Sequence, residues 1–424
     1  AGNAEMNRLT QGCVGVRRTT GQHPGGLVVV PDDLDVEDFT AVQHPADAED
    51  ADTITTHFEY HCMEDNLLKL DMLGHDDPTM IRMLEDLTGV NAREIPLDDP
   101  DTMSIFTSSK VLGFENDELL GPTGAVAIPE FNTRFTRGML VDTQPKDFNT
   151  LVRLSGFSHG TDVWLGNARD LIVSGTASVL ETVGCRDDIM LFLISKGMPP
   201  QRSFKIMEAV RKGKVKKGGF QEGWVEAMEE YGVPQWYIES LAKIGYLFPK
   251  AHAVAYVMMA FRIAWFKVHE PLAFYATFFT IRAKAFDAEF CCAGKEAVER
   301  KIHEIENNKD ATAVEQNLLV TLEVCYEFYL RGFHFDTIDI YRSDASKFII
   351  TEGGLLPPLI SVHGLGEAAA QDTVEKRKGK TFISVEEFSM CCSKLSKTHI
   401  EQLKALGAFA GMADTSQVNL FDGL

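Results

Sequence analysis

Short apolar stretches separated by polar segments mark the first quarter of the chain, and they predict β-strands. They lie at residues 27–31, 55–60 and 67–73. The first, LVVVP, has the composition of a short buried strand that ends at a proline. The three stretches together predict a small α/β region with a sheet at its centre.

Beyond residue 74 the apolar positions recur at three- and four-residue steps, which is typical of core-facing helices. DDPTMIRMLEDLTG has Asp77 as a helix cap and Pro78 at the first helical position. The pattern then stays almost wholly helical from about 101 to 330. Strand character returns near 335–360, and two short helical units and a polar tail follow it. These elements predict an α+β chain dominated by helices.

The composition is that of a globular protein, and the charge restricts the class of ligand. The chain has 424 residues, of which 45% are hydrophobic, and its net charge is −21. This length is enough for two to four domains. A binder of nucleic acid that relied on overall charge would be basic, so any such contact must come from local patches. Basic residues cluster at 211–217 and 375–380.

The eight cysteines form no C-x-x-C pair, which argues against a local zinc motif and against a secreted disulfide framework. A reducing cytoplasm is the predicted location. The longest apolar run, at 253–266, contains Arg262 and is flanked by His252 and Lys267, which favours a buried helix over a membrane span. No signal-peptide pattern opens the chain, and it does not begin with Met, so we expect a section of a longer protein.

Asp71 lies in the apolar stretch LLKLDML. Because side chains on a strand alternate between two faces, Leu68, Leu70 and Met72 share one face, and Lys69, Asp71 and Leu73 share the other. A carboxylate on a mostly buried strand is costly unless it is paired or binds a metal ion. Taken alone, the pattern favours an ion pair with Lys69 or with a neighbour at the strand end.

Two polar segments are candidates for ligand binding. In RRTTGQHPGGLVVVP, 17–31, a Pro-Gly-Gly turn follows two arginines and would let backbone amides approach an anion. Taken alone, the pattern favours a tight hairpin turn instead. In SGFSHGTDVWLGNARDL, 155–171, the residues suit a polar pocket with an aromatic wall. The alternative is a loop in which Ser158 or Thr161 caps a helix. A Ser–His–Asp triad is disfavoured, because these residues are neighbours in one loop and no nucleophile elbow is present.

Two further segments carry basic residues beside helices. MEAVRKGKVKKGG, 207–219, has more basic residues than compensation of the helix dipole needs, so binding of phosphate and a solvated loop remain as alternatives. Lys250 and His252 lie just ahead of the long apolar helix, where they could simply shield its first turn.

The C-terminal region has two motifs. In VHGLGEAAAQDTVEKRKGK, a Gly-Leu-Gly turn opens a helix, as in a helix-hairpin-helix that presents backbone amides to DNA phosphates. LSKTHIEQLKALGAF, 395–409, is the predicted paired unit, and an ordinary helical hairpin is the alternative. QVNLF, 417–421, has the pattern of a short linear peptide whose apolar pair fills a groove.

Together these strings resemble the C-terminal part of C-family replicative DNA polymerases of the PolC type, the DNA polymerase III alpha subunits of Gram-positive bacteria. The strings that carry the resemblance are RRTTGQHPGGLVVVP, LLKLDMLGHDDPTMIRML, IPEFNTRF, SGFSHGTDVWLGNA, CRDDIM, FPKAHAVAYV and SQVNLF. The resemblance implies the end of a polymerase-β-like palm with a mixed sheet for 1–100 and helical fingers for 101–330. It also implies a tandem helix-hairpin-helix region for 331–414 and a disordered sliding-clamp peptide for 415–424.

The resemblance also implies roles for individual residues. Asp71 matches the third carboxylate of a palm that binds two Mg²⁺ ions, and Lys69 would orient it or contact the triphosphate. The family's other two aspartates belong to a motif that this chain lacks, so the isolated chain is predicted to be inactive. The implied nucleotide-binding residues are Arg18, Gln22, His23, Ser158, His159, Thr161, Arg186, Arg211, Lys212, Lys214 and Lys250. The implied DNA-binding residues are Gly364, Leu365, Gly366, Lys376, Arg377 and Lys378, and the implied clamp-binding residues are Gln417, Leu420 and Phe421.

The partners implied are primer–template DNA, an incoming deoxynucleoside triphosphate, a sliding clamp and the upstream part of the polymerase chain, with no membrane. The reaction implied is template-directed transfer of nucleotides to a primer 3′-hydroxyl. A non-catalytic module that binds DNA and tethers a clamp is the alternative, but it leaves Asp71 unexplained. An unrelated phosphotransferase would need a G-x-x-x-x-G-K-[ST] loop, and the sequence has none.

Overall fold

The computed structural model describes residues 2–16, 20–23 and 25–415. The chain divides into two compact units, the first ending at His75 and the second beginning at Asp76. The predicted α+β class is confirmed, because helices dominate and short strands occur in both units.

The first unit contains one helix and four short strands. They are α1 (Asn3–Cys13), β1 (Gly26–Val29), β2 (Val42–Gln43), β3 (Thr55–Thr56) and β4 (Leu68–Asp71). β1 pairs with β4 and β2 pairs with β3, both antiparallel. The predicted mixed sheet is therefore wrong for the described residues of this unit, which pair only as antiparallel ladders. The strands predicted at 55–60 and 67–73 are also shorter than the apolar stretches.

The β1–β4 ladder exposes its apolar face. Leu27 is paired with Leu70 and Val29 with Leu68, and these four side chains are 40–62% exposed. The prediction of a buried strand at 27–31 is wrong, because each described ladder of this unit has only two strands. The alternation predicted for β4 is confirmed, since Lys69 and Asp71 lie on the face opposite the leucines.

The second unit begins with a long series of helices. They are α2 (Asp76–Thr88), α3 (Pro100–Ser104), α4 (Arg134–Thr143), α5 (Phe148–His159), α6 (Arg169–Val173), α7 (Arg186–Ser195), α8 (Pro200–Arg211), α9 (Lys214–Gly218), α10 (Trp224–Glu230), α11 (Gln235–Lys243), α12 (Lys250–His269), α13 (Pro271–Ile281), α14 (Ala288–Cys291), α15 (Lys295–Asn307) and α16 (Ala313–Leu330). Residues 105–133, which were predicted to be helical, instead form turns, irregular backbone and one short 3-10 helix, Lys110–Leu112.

The predicted helix after residue 74 is present as α2, but its start differs from the prediction. It begins at Asp76, one residue before the predicted cap. Asp77 is fully buried, and its carboxylate accepts a hydrogen bond of 3.1 Å from Arg282. The buried side chain thus forms an ion pair with Arg282, which follows α13 and is far away in sequence, so local sequence could not reveal the pair.

Helix α12 lies at the centre of the second unit. By length and composition alone it could cross a membrane, and it is the one such helix among the described residues. Its buried residues include Val257, Phe261 and Phe266, and it packs against α2, α5 and α13. Burial within a helical core explains its apolar character, as the sequence predicted.

A buried charged network connects α12, α13 and α16. Lys267 and Glu327 are both fully buried, and the lysine Nζ lies 2.7 Å from a carboxylate oxygen. Lys267 also donates to the carbonyl groups of Gly124 and Val126, at 2.8 and 2.6 Å. Tyr275 donates to the same carboxylate at 2.6 Å. Burial lowers the pKa of Lys267 to about 8, although the attraction of Glu327 acts in the opposite direction.

The C-terminal part of the second unit has its own apolar core. It contains β5 (His334–Phe335), β6 (Ile349–Thr351), β7 (Gly354–Leu356), α17 (Glu367–Arg377), α18 (Val385–Cys391) and α19 (Lys397–Ala405). β7 is the central strand, parallel to β5 and antiparallel to β6. A separate cluster that includes Leu365, Phe388 and Leu403 packs the three helices together. The strand character predicted near 335–360 is confirmed.

Candidate functional site

Asp71 lies at the end of β4, and its nearest charged partner is Lys69. The lysine Nζ is 3.4 Å from a carboxylate oxygen, and the two side chains are 30% and 46% exposed. The ammonium also lies 5.1 Å from the centre of the Tyr60 ring. This is the ion pair that the sequence favoured when Asp71 was considered alone. The pair is open to solvent, so the carboxylate is accessible.

The glycine turn before β1 lies beside the end of β4. Gly26 is paired with Asp71, and a Cβ on the preceding Gly25 would lie 2.7 Å from the carbonyl oxygen of Met72. The turn therefore requires glycine for this close approach. His23 accepts a hydrogen bond of 3.2 Å from the amide of Gly25, and Gln22 is exposed. Arg18 lies outside the described residues.

Asp71 has no second and third metal ligand beside it among the described residues. Within the ranges that the structure describes, no three His, Cys, Asp or Glu side chains are close enough to hold an ion. Asp71 offers one exposed carboxylate, whereas the predicted centre needs three acidic side chains. The metal centre that the resemblance implies, and the share of it that Asp71 would supply, thus stay predictions.

The segment 155–161 forms the end of α5 and the loop that follows it. His159 lies 3.2 Å from the Glu130 carboxylate through Nε2, and its Nδ1 lies 2.8 Å from the carbonyl oxygen of Ser155. Ser158 donates a hydrogen bond of 3.0 Å to the same carbonyl group. The amide of Thr161 donates to the carbonyl group of Tyr246 at 2.9 Å. The loop is thus held by two separate parts of the second unit.

An aromatic wall lies beside this loop, as the composition predicted, but it comes from another segment. The ring centres of His159 and Phe248 are 5.6 Å apart, and those of Phe248 and His252 are 5.1 Å apart. Tyr256 continues the row at 4.4 Å from His252. The tryptophan of the motif, Trp164, is buried against Phe157 instead.

Lys250 and Arg186 reach this region from the starts of α12 and α7. The Lys250 Nζ is 3.8 Å from a carboxylate oxygen of Asp188, which also binds Arg153 at 2.7 Å. The amide of Arg186 donates to the carbonyl group of Phe248 at 3.1 Å. The aromatic wall and the predicted basic residues therefore lie in one region of the second unit.

The basic cluster at 211–217 is partly neutralised by neighbouring carboxylates. Arg211 makes two hydrogen bonds of 2.6 and 3.0 Å to Glu208, and these lower the pKa of that carboxyl. Lys212 lies 3.3 Å from the same carboxylate. Lys214 is exposed at the start of α9. Lys212 and Lys214 are both exposed, so either ammonium is accessible to an incoming anion.

Several residues of this region had no predicted role. Glu130, Arg153 and Asp188 bind residues of the loop or of its basic neighbours. Glu130 belongs to IPEFNTRF and Asp188 to CRDDIM, two of the strings that carry the family resemblance. Glu130 and His159 are far apart in sequence, as are Arg153 and Asp188, so only the fold reveals these two pairs. Burial raises the pKa of the Cys185 thiol to about 12, which makes this cysteine a poor nucleophile.

The Gly-Leu-Gly turn has the geometry that the helix-hairpin-helix prediction requires. Gly364 has φ of +74°, a conformation that favours glycine, and Gly366 is the N-cap of α17. Leu365 is buried between them in the C-terminal core. The first amides of α17 are therefore available at a helix N-terminus.

The three predicted basic residues at the end of α17 have different environments. Arg377 donates to the carbonyl groups of Ile340 and Ser343, and burial lowers its pKa. This arginine therefore stabilises the fold, which disfavours the predicted phosphate contact. Lys376 lies 3.0 Å from Asp372 and Lys378 lies 2.6 Å from Glu375, with both lysines partly exposed.

The second helical pair, α18 and α19, lacks the glycine turn. Its connection runs through Cys392 to Ser396, and Ser396 caps α19 by accepting a hydrogen bond from the amide of His399. The tail residues Gln417, Leu420 and Phe421 lie outside the described residues.

Three family descriptions match separate parts of the chain. "Bacterial DNA polymerase III alpha NTPase domain" matches residues 2–74, and "Bacterial DNA polymerase III alpha subunit finger domain" matches residues 77–232. "Helix-hairpin-helix motif" matches residues 332–418. The class that these matches define is the alpha subunit of bacterial DNA polymerase III.

Relatives named "DNA polymerase III PolC-type" match almost the whole chain. The protein of Caldanaerobacter subterraneus subsp. tengcongensis is 57% identical over 99% of this chain. Those of Halalkalibacterium halodurans and Bacillus cereus are each 51% identical over 99%. The chain spans about 30% of the length of these relatives. It belongs to the PolC-type DNA polymerase III family.

Proposed function

We propose that this chain is a section of a template-directed DNA polymerase and that it supplies part of the catalytic palm, the fingers and a duplex-binding region. The observation that carries this proposal is the match of 99% of the chain, at 51–57% identity, to proteins named PolC-type DNA polymerase III. The reaction is transfer of a nucleotide from a deoxynucleoside triphosphate to a primer 3′-hydroxyl. A cytoplasmic location remains a prediction from the sequence.

The triphosphate site of this proposal combines the loop 158–161 with basic residues of α7, α8, α9 and α12. Lys214 is exposed, whereas Lys250 and Arg211 already have carboxylate partners at 3.8 and 2.6 Å. An incoming triphosphate would share or displace those partners, and charge-assisted hydrogen bonds to phosphate are strong enough for such competition. Gln22 and His23 belong to the first unit, and their nucleotide contacts stay a prediction that the family resemblance implies.

In this proposal, Asp71 is the residue that the chain supplies to the catalytic palm. Polymerases of this class use divalent metal ions, and we propose Mg²⁺, which prefers carboxylate and phosphate oxygens as ligands. Such ions, when bound, stabilise an in-line displacement at phosphorus. The role of Asp71 would be to hold one side of this centre, while Lys69 restrains its carboxylate at 3.4 Å until the ligand arrives. The remaining acidic side chains would come from the longer polymerase.

In this proposal, the Gly364–Gly366 turn contacts the phosphates of the DNA duplex. A helix N-terminus presents unpaired amide donors and a favourable dipole to a phosphate, without reading the base sequence. Lys376 and Lys378 add exposed positive charge at the other end of the same helix. The alternative, a module that only holds DNA and a clamp, agrees with this turn but gives Asp71 no function.

The isolated chain should not extend a primed template when it is given deoxynucleotides and Mg²⁺. The reason is that the family's other two metal-binding aspartates belong to a motif that this sequence lacks. Extension can be measured on a labelled primer by gel electrophoresis, with a PolC-type polymerase of full family length as the positive control. Measurable extension by the isolated chain would contradict this account of the palm.

The double variant Leu420→Ala/Phe421→Ala should lose binding to the sliding clamp of the same organism. Two large apolar side chains of a short peptide carry most of its affinity when they fill a groove. A pulldown with immobilised clamp measures the loss, and Asn419→Ala in the same tail is the matched control. Retention of the clamp by the double variant would refute the assignment of this peptide.

A further inference from the structure

Helix α12 begins without a side-chain cap of its own. Its N-cap is Pro249, whose side chain cannot accept a hydrogen bond from the amides of the first turn. That turn contains no acidic residue, and it carries Lys250 and His252. The first four amides of a helix have no partner within it, and basic side chains are unfavourable beside the positive end of its dipole. The start of α12 therefore depends on an acceptor from elsewhere in the fold.

Asp187, in the first turn of α7, is that acceptor. Its carboxylate accepts a hydrogen bond of 2.7 Å from the amide of Lys250, the first residue of α12. In the opposite direction, the amide of Arg186 donates to the carbonyl oxygen of Phe248 at 3.1 Å. The starts of α7 and α12 are thus joined by one hydrogen bond in each direction, although they are far apart in sequence.

The same carboxylate lies between two residues that the family resemblance implies as nucleotide contacts. The oxygen that accepts from the amide of Lys250 is 4.0 Å from Nε of Arg186. The side chains of Arg186 and Asp187 are each 35% exposed, whereas that of the neighbouring Asp188 is 7% exposed and binds Arg153 at 2.7 Å. Asp187 can therefore be replaced without leaving a buried charge unpaired, which is not true of Asp188.

We infer that Asp187 is a positioning residue that holds the first turn of α12 and the side chain of Arg186 in place for an incoming triphosphate. This inference rests on the function proposed above. Lys250 can bind a phosphate at a fixed position only when the backbone that carries it is fixed, and a helix start without an acceptor opens more readily. The charge of Asp187 also repels phosphate, but solvent weakens this repulsion because the side chain is partly exposed.

The first test measures the start of α12 directly, by amide hydrogen exchange in the 424-residue chain. For Asp187→Ala we expect the amides of the first turn of α12 to exchange about tenfold faster, because the hydrogen bond to the carboxylate is lost. Asp187→Asn should exchange within about twofold of the wild-type rate, since its side-chain oxygen still accepts from the amide of Lys250. Thr312→Ala removes the N-cap of α16, is the matched control and should leave α12 unchanged.

The functional readout is steady-state primer extension by a polymerase of full family length that contains these residues. For Asp187→Ala we expect the KM for the nucleotide to rise about tenfold with kcat within about twofold, because binding before the chemical step is weakened. Asp187→Asn should have a KM at or below the wild-type value, since it keeps the acceptor and removes the charge that repels phosphate. Thr312→Ala should leave both constants at their wild-type values.

Three results would overturn the inference. They are unchanged exchange in Asp187→Ala, a KM for Asp187→Ala at or below that of the wild type, and an equal rise of KM in Asp187→Ala and Asp187→Asn. The second result would mean that the carboxylate acts on the nucleotide only through its charge. Failure of the wild-type polymerase to extend a primer would instead overturn the proposed function, and the exchange rates of the first turn would be unaffected.

Discussion

Replacement of Asp71 by alanine should reduce primer extension at least about a thousandfold in a polymerase of full family length, a loss of roughly 4 kcal/mol in transition-state stabilisation. The carboxylate is 46% exposed at the end of β4 and its ion pair with Lys69 is 3.4 Å long, so it is accessible to a cation. Without it, one side of the proposed metal centre has no ligand from this chain. Single-turnover extension with excess enzyme measures the effect on the chemical step.

Asp65→Ala is the matched control for this experiment, since it removes an exposed carboxylate from the same unit. We expect the control to extend at the wild-type rate. DNA binding by Asp71→Ala should also be retained, because the duplex contacts are proposed for the Gly364–Gly366 turn. Normal extension by Asp71→Ala would favour the alternative of a non-catalytic module that holds DNA.

Replacement of Lys267 by methionine should destabilise the second unit by about 3–5 kcal/mol, which is the cost of leaving a buried charge without its partner. Methionine has similar volume, so the loss is one of charge and hydrogen bonds rather than of packing. Glu327 would remain fully buried, and the carbonyl groups of Gly124 and Val126 would lose their donor. Urea unfolding followed by tryptophan fluorescence measures the shift of the midpoint.

Two further variants test whether the loss of stability comes from the buried charge of Glu327. Lys378→Met removes an exposed ion pair with Glu375 and should leave the unfolding midpoint unchanged. Lys267→Met/Glu327→Gln removes both buried charges and should recover part of the lost stability. A midpoint for Lys267→Met equal to that of the wild type would show that the buried network does not stabilise the unit.

Local patterns were sufficient for features that depend on neighbours in sequence. The three- and four-residue spacing of apolar residues predicted α2, and composition identified α12 as a core helix. The alternation of LLKLDML placed Lys69 and Asp71 on one face of β4, as the pairing register confirms. The Gly-Leu-Gly turn was recognisable because Gly364 adopts a positive φ that few other residues tolerate.

Features that depend on distant partners could not be predicted from the sequence. Burial of the strand at 27–31 was predicted wrongly, since alternation cannot tell whether a further layer covers a ladder. Arg377 resembled a phosphate ligand in a basic run, but carbonyl groups more than 30 residues away bind it. Glu130 meets His159 only because a buried segment with positive φ turns its side chain toward α5.

The most direct test of the central claim, that Asp71 supplies a ligand to the metal centre of a polymerase, is a count of bound Mn²⁺ by electron paramagnetic resonance. The sample is a polymerase of full family length with primed DNA that lacks a 3′-hydroxyl and a matching deoxynucleoside triphosphate. The account predicts about two bound ions per wild-type molecule and weaker binding of at least one of them in Asp71→Asn. Equal counts and equal affinities in the two proteins would contradict it.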